Sequence, residues 1–160
     1  MTTSTATRLA GAIALAMPAA LLGGAFISQY GFGLFPCEMC WWQRYPHFIA
    51  LAFAVLARAR APWRTMLWVA ATAMAVSGLI GGFHAGVEYG WWEGLTACTA
   101  NPLAGGGDPL EAILNAPLVR CDLAPWSLFG ISLAGWNFLF SIAAALAIAA
   151  LLKSEGETGS

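Results

Sequence analysis

Cys37 and Cys40 stand two residues apart in the stretch PCEMCWWQR (36–44), and Arg44 follows four residues after the second cysteine. A thiol pair at this spacing can open and close as a disulfide, and its neighbours favour redox work. Pro36 precedes the pair and the chain is expected to turn helical there, so both sulfurs lie near a helix N-terminus, whose dipole stabilises a thiolate. On a continuing helix Arg44 shares a face with Cys40. Its guanidinium would favour the thiolate further and could polarise a carbonyl oxygen. Glu38 works against this only if it turns inward, so it is expected to face water. The plainer alternative is a stabilising disulfide beside an arginine that merely snorkels, but thiolate character comes from cations and helix N-termini.

The chain has 4 cysteines. The other two, Cys98 and Cys121, form a distant pair. Between them, GGGDPLEAILNAP (105–117) opens on a flexible glycine run and continues into a short helix. Asp108 is its cap, Pro109 its first position and Glu111 the partner that completes a capping box. Leu110, Ile113 and Leu114 give this helix one apolar side, so it is expected to lie along a membrane surface. As a static staple, a bridge over a loop of this length would stabilise by roughly 3 kcal/mol. Four-cysteine zinc is disfavoured because structural sites use two short-spaced ligand pairs; no metal is expected.

The elements that must hold these residues are membrane helices. The chain is 59% hydrophobic and only 9% charged, against about 25% charged in ordinary soluble domains. The net charge of -1 gives no reason to expect nucleic acid. One membrane domain over 1–160 is expected, with spans at about 9–27, 41–57, 65–85 and 127–152. Each approaches the ~20 residues needed to cross roughly 30 Å of hydrocarbon. The second is unusual. Its uninterrupted apolar run, Phe48 to Ala57, is too short and must extend upstream through His47, Pro46, Arg44 and Trp41-Trp42. The polar turn RARAPWR (58–64) requires a helix on either side. The first segment carries Arg8 ahead of it, but it is too long and lacks the polar cleavage region of a signal peptide.

Arg8, Arg58, Arg60, Arg64 and Lys153 fall on one side of four spans and only Arg44 and Arg120 on the other, which makes both termini cytoplasmic. All four cysteines then lie in two outer loops, about 28–40 and 86–126, where disulfides persist. The expected fold is therefore an all-α membrane protein, a four-transmembrane-helix bundle whose second outer loop carries the surface helix.

A dithiol that is reoxidised repeatedly needs an electron acceptor. No Rossmann fingerprint, nucleotide loop or haem-attachment motif is present, and the lipid-soluble acceptor at a membrane edge is a quinone. Arg44 lies at that edge, about one helical turn past Cys40. His84, where the third span ends, could hydrogen-bond a quinone oxygen or be an ordinary interfacial histidine. Trp41, Trp42, Trp91, Trp92 and Trp126 read as belt residues, one of which could wall a ring. Gly78, Gly82 and Gly86 mark a close helix contact. Ser132 and Asn137, polar within a span, are expected to face the bundle.

These residues resemble the DsbB-type disulfide bond formation proteins of bacterial inner membranes. PCEMCWWQRYPH (36–47) is similar to the family's first-loop motif, Cys98 and Cys121 to its second-loop pair, and WSLFGISLAGWNFLFS (126–141) to the opening of its last helix. Met39 stands where many relatives have leucine. The resemblance implies disulfides Cys37–Cys40 and Cys98–Cys121, cysteines on the periplasmic side, and ubiquinone or menaquinone as cofactor. It implies that Cys98 forms a mixed disulfide with a DsbA-like, thioredoxin-fold periplasmic protein. Cys121 then attacks Cys37, freeing Cys40 as a thiolate that reduces the quinone with help from Arg44. A vitamin K epoxide reductase-like protein is the nearest competitor, but there the CxxC usually follows the loop cysteines. A non-enzymatic membrane protein with static disulfides is the competitor of another class.

Overall fold

Among the described residues there are four long helices: α1 (Thr5–Gly31), α2 (Glu38–Ala59), α3 (Trp63–Glu88) and α4 (Leu133–Thr158). This computed structural model describes residues 5–59, 62–95 and 119–158. By length and composition α1, α3 and α4 can cross a membrane. α2 falls outside that set because its first half carries Gln43, Arg44 and His47. All three are buried, so the polarity that lowers its hydropathy is turned toward the neighbouring helices. Cys98 and the expected surface helix near 108–114 lie outside the described residues.

The last helix starts later than the sequence reading places it. An antiparallel hairpin, β1 (Ser127–Leu128) and β2 (Ile131–Ser132), pairs Leu128 with Ile131 just ahead of α4. Its two turn residues, Phe129 and Gly130, sit at φ 52° and 76°, the left-handed pair that a tight two-residue hairpin requires. Ser132 then caps α4, its Oγ accepting the Gly135 N–H at 3.1 Å. Tyr89, just past α3, holds the hairpin: its hydroxyl donates to the Gly130 carbonyl and accepts the Ser132 N–H at 3.0 Å.

Small residues set the spacing of the bundle. Ala50, Ala54, Ala70, Met74, Ala144 and Ile148 are buried together. Gly78 and Gly82 lie against Ile142 and Phe138 of α4, each close enough that an added Cβ would come within 2.9 Å. Gly81 is where α2, α3 and α4 meet; a Cβ there would lie 2.9 Å from the Ala134 carbonyl oxygen and 3.1 Å from Gln43 Oε1. At one end of the bundle Arg64 donates to the Leu152 carbonyl at 2.8 Å and pairs with Glu155 at 3.6 Å. Glu155 also accepts the Thr7 N–H at 3.1 Å. The start of α1, the start of α3 and the end of α4 are thus clasped together. The thiols lie toward the opposite end.

Candidate functional site

Cys37 is the residue from which α2 springs. Its carbonyl accepts the Trp41 N–H at 3.3 Å, and its sulfur accepts the Cys40 N–H at 3.3 Å, as an N-cap side chain does. The CxxC is therefore already helical at Cys40, which places Cys40 and Arg44 one turn apart on one face. The two sulfurs are unbonded and 3.1 Å apart; closing to a disulfide takes a shift of about 1 Å. Cys37 donates to Cys40. That bond and burial push its thiol from 9.0 up to about 12, so the sulfur of the pair that readily carries charge is Cys40.

On the Cys37 side, its sulfur lies 3.6 Å from His84 Nε2. Cys121 completes the group, the three ligand-type atoms all within 4.8 Å of one another and all buried. The proton positions on His84 follow from its partners. Gln43 Nε2 donates to the Met39 carbonyl at 3.2 Å, so it is the amide nitrogen, and its second hydrogen points at His84 Nδ1, 2.9 Å away. Nδ1 is then an acceptor and Nε2 carries the hydrogen, directed toward Cys37 and toward Glu88 Oε1 at 3.8 Å. His84 is a donor to whatever charge develops on Cys37 sulfur. In their reduced state Cys37, His84 and Cys121 also have the donor types of three ligands to a soft divalent ion.

On the Cys40 side is a cavity of 240 Å³ between α1, α2 and α4, lined by Cys40, Arg44, His47, Trp136 and Asn137 among largely apolar neighbours. Neither Cys37 nor His84 lines it. Of the residues expected to serve a quinone, Arg44 thus faces the cavity and His84 does not. Arg44 is held by the end of α1, donating to Gln29 Oε1 at 2.6 Å and to the Ala25 carbonyl at 3.3 Å. Its guanidinium lies over the Phe26 ring at 5.0 Å and the Trp41 ring at 4.8 Å. Among the described residues no carboxylate forms an ion pair with it. A cation held by neutral dipoles and ring faces keeps its field for an occupant of the cavity.

A buried polar chain joins the two sides. Gln43 Oε1 accepts from Asn137 Nδ2 at 2.9 Å. Asn137 Oδ1 lies 2.8 Å from His47 Nε2, and Ser77 contributes a hydroxyl 2.9 Å from the same nitrogen. Sequence reasoning pointed Asn137 and Ser132 into the bundle but passed over Gln43, His47 and Ser77. The signal was there: Gln43 and His47 are four apart on α2, so one helical face carries two polar groups within the segment expected to be the second span. Glu88, assigned to an outer loop, closes α3 beside His84. Its Oε2 is buried and has no hydrogen-bond partner among the described residues.

The chain matches the family described as Disulfide bond formation protein DsbB over residues 7–151. It is similar to Disulfide bond formation protein B of Aromatoleum aromaticum, with 28% identity over 155 residues, covering 88% of this chain and 90% of that protein. No solved structure matches it.

Proposed function

The chain belongs to the DsbB family of disulfide bond formation proteins, and from that premise we propose that it is a quinone-dependent thiol oxidase of the bacterial inner membrane. It reoxidises a DsbA-like periplasmic thioredoxin-fold protein. The observation that carries this reading is the split at the CxxC: Cys40 opens onto the same cavity as Arg44, whereas Cys37 faces Cys121 and His84. Four spans with both termini in the cytoplasm fit the basic residues, and put the cysteines in the periplasm.

The resting protein holds disulfides Cys37–Cys40 and Cys98–Cys121. Cys98 takes the partner's thiolate in a mixed disulfide and Cys121 leaves as a thiolate. Cys121 attacks Cys37 sulfur; the Cys37–Cys121 bond forms as the Cys37–Cys40 bond breaks, and Cys40 is the thiolate released. His84 Nε2–H steadies the sulfur under attack. Cys40 leaves readily because the helix N-terminus favours its charge.

The cavity suits a quinone ring. It is mainly apolar with one buried cation, and His47 is in its lining, with an Nδ1 that is buried and has no hydrogen-bond partner among the described residues. At 240 Å³ it is smaller than the roughly 300–1,000 Å³ of pockets that enclose whole ligands. That would suit a head group alone, with Phe35 and Phe140, both lining the cavity and exposed, available to an apolar tail. When bound, ubiquinone or menaquinone supplies a two-electron, two-proton acceptor. Arg44 would orient its oxygen and attract negative charge there.

The test is direct. Purified protein in detergent, given a reduced thioredoxin-fold protein and short-chain ubiquinone, bleaches the quinone absorbance; no bleaching by wild type overturns the reading. Replacing Cys121 by serine leaves Cys98 as a free thiol; given the oxidised thioredoxin-fold protein, whose disulfide it attacks, the variant should accumulate a mixed disulfide through Cys98.

A further inference from the structure

His47 takes no part in the thiol steps. Yet it is an ionisable side chain only 3% exposed within a helix that the proposed topology sets in the membrane, where such a group marks a functional site. Its protonation follows from the hydrogens around it. Asn137 Nδ2 donates to the Ser77 carbonyl at 3.2 Å. A carbonyl can only accept, which fixes the amide with Oδ1 as its acceptor. The Ser77 hydroxyl spends its one proton on the Gln43 carbonyl at 2.8 Å. The Ser141 hydroxyl spends its proton on Asn137 Oδ1 at 3.0 Å.

Among the described residues each hydrogen-bond partner of His47 Nε2 is thereby an acceptor: Asn137 Oδ1 at 2.8 Å, Ser77 Oγ at 2.9 Å and Ser141 Oγ at 3.4 Å. Nε2 must supply the hydrogen. In a neutral imidazole the other nitrogen is then a bare lone pair. Nδ1 is that nitrogen, without a partner among the described residues and with almost none of its own surface accessible. Its ring lines the cavity, so an occupant reaches it by a small shift of its neighbours. A proton on Nδ1 as well would add a second positive charge to a cavity that already holds Arg44.

We propose that His47 Nδ1 is the acceptor for a hydroxyl of the reduced ring, so that the cavity binds a quinol in preference to the quinone. The proposal rests on the quinone reading above and gives it a direction. Oxidation of a dithiol to a disulfide delivers two electrons and two protons, and each former carbonyl oxygen of the acceptor becomes a hydroxyl. A lone pair facing a carbonyl oxygen is an unmade hydrogen bond, whereas facing a hydroxyl it is a made one. His47 therefore draws the exchange toward product and holds that product until it leaves.

Calorimetric titration of the full-length protein in detergent tests this. Oxidised protein receives short-chain ubiquinone and, in a separate cell, the corresponding quinol. Because thiol oxidation by the quinone runs downhill, neither mixture turns over, and both affinities refer to one protein state. Wild type should bind the quinol about tenfold more tightly, which raises the midpoint potential of the bound couple by about 30 mV over the free one. Equal affinities and an unshifted midpoint overturn the proposal without any variant. Two variants then separate the ring nitrogens. His47→Gln keeps a donor near the Nε2 position and loses the Nδ1 acceptor; quinol binding should weaken about tenfold and quinone binding less than about twofold. His47→Asn keeps a polar atom near the Nδ1 position and should retain the preference for quinol. Equal weakening of both forms in His47→Gln means a packing role and overturns the assignment. If wild type binds neither form, the quinone reading itself falls, and this inference with it.

Discussion

Cys37 and Cys40 hold their sulfurs 3.1 Å apart but open onto different surroundings, Cys37 onto His84 and Cys121, Cys40 onto the cavity of Arg44. Their protons divide the same way. The hydrogen bond to Cys40, then burial, pushes Cys37 up to about 12 from its ordinary 9.0. A thiol raised in this way stays protonated at neutral pH and turns to thiolate only as pH climbs toward that value. Reduced protein treated with iodoacetamide at pH 8 should therefore be labelled at Cys40 first, with the Cys37 rate rising about tenfold per pH unit. Cys40→Ala removes the larger cause and should speed Cys37 labelling at pH 8 by about tenfold or more. Peptide mapping by mass spectrometry reads both, and faster labelling of Cys37 than Cys40 in wild type would refute the assignment.

Arg44 has two jobs that a substitution separates. Its anchors, Gln29, the Ala25 carbonyl and the rings of Phe26 and Trp41, belong to the bundle, while its charge faces the cavity. Arg44→Ala should raise KM for quinone about 10- to 100-fold, the scale of a lost charged hydrogen bond, and leave the dissociation constant for the thioredoxin-fold partner within about twofold. Arg44→Lys should restore little, because one ammonium cannot reach both anchors and keep its place between the rings. Steady-state kinetics with each substrate varied in turn measures the split; equal loss toward both substrates would argue against the role.

His84 carries the sharpest contrast between a reading from residues and the observed geometry. The sequence puts it at the depth of the ring, but its Nε2–H is aimed at Cys37, 3.6 Å away, and it does not line the cavity. His84→Ala should slow formation of the Cys37–Cys121 bond about tenfold or more, seen by acid-quenched gels after mixing with reduced partner. Quinone affinity should stay within about twofold. Loss of quinone affinity with exchange intact would restore the role first expected of it.

What the sequence made legible follows from what local spacing can encode. Cys40 and Arg44 share a face because they are four residues apart on one helix, and the helix start at Cys37 was announced by Pro36. Contacts between helices are encoded nowhere locally. His84 reaches Cys37 only because α3 packs against α2, and the rotation of α3 about its axis is set by Gly81 and its neighbours. The polarity of Gln43 and His47 was visible, but in a bare sequence it reads as a span that is too short. Only the facing Ser77 and Asn137 turn it into a buried network. The hairpin at 127–132 was hidden for a related reason: Phe129 at φ 52° is an uncommon turn residue, and its signal was lost beside the apolar run that follows.

Gly81 tests whether that rotation matters. In an ordinary helix position Gly→Ala stabilises by up to ~1 kcal/mol, and Gly23→Ala, with nothing within 4 Å of the new Cβ, should be neutral or slightly stabilising. At Gly81 the same methyl would lie 2.9 Å from the Ala134 carbonyl oxygen, 2.9 Å from Asn137 Nδ2 and 3.1 Å from Gln43 Oε1. Backbone cannot step aside as a flexible side chain does, so α3 and α4 must separate or the Gln43–Asn137 bond must break. Either costs about 1–3 kcal/mol, and thermal unfolding in detergent should show a lower Tm for Gly81→Ala beside an unchanged or higher one for Gly23→Ala. The loss should also reach the chemistry. Gln43 sets the tautomer of His84 through its Nε2, and Asn137 sets that of His47 through its Oδ1, so displacing the amide pair should slow Cys37–Cys121 exchange and weaken quinol binding together. A Gly81→Ala protein with wild-type stability and both activities intact would show that the close approach of the three helices is incidental to the site.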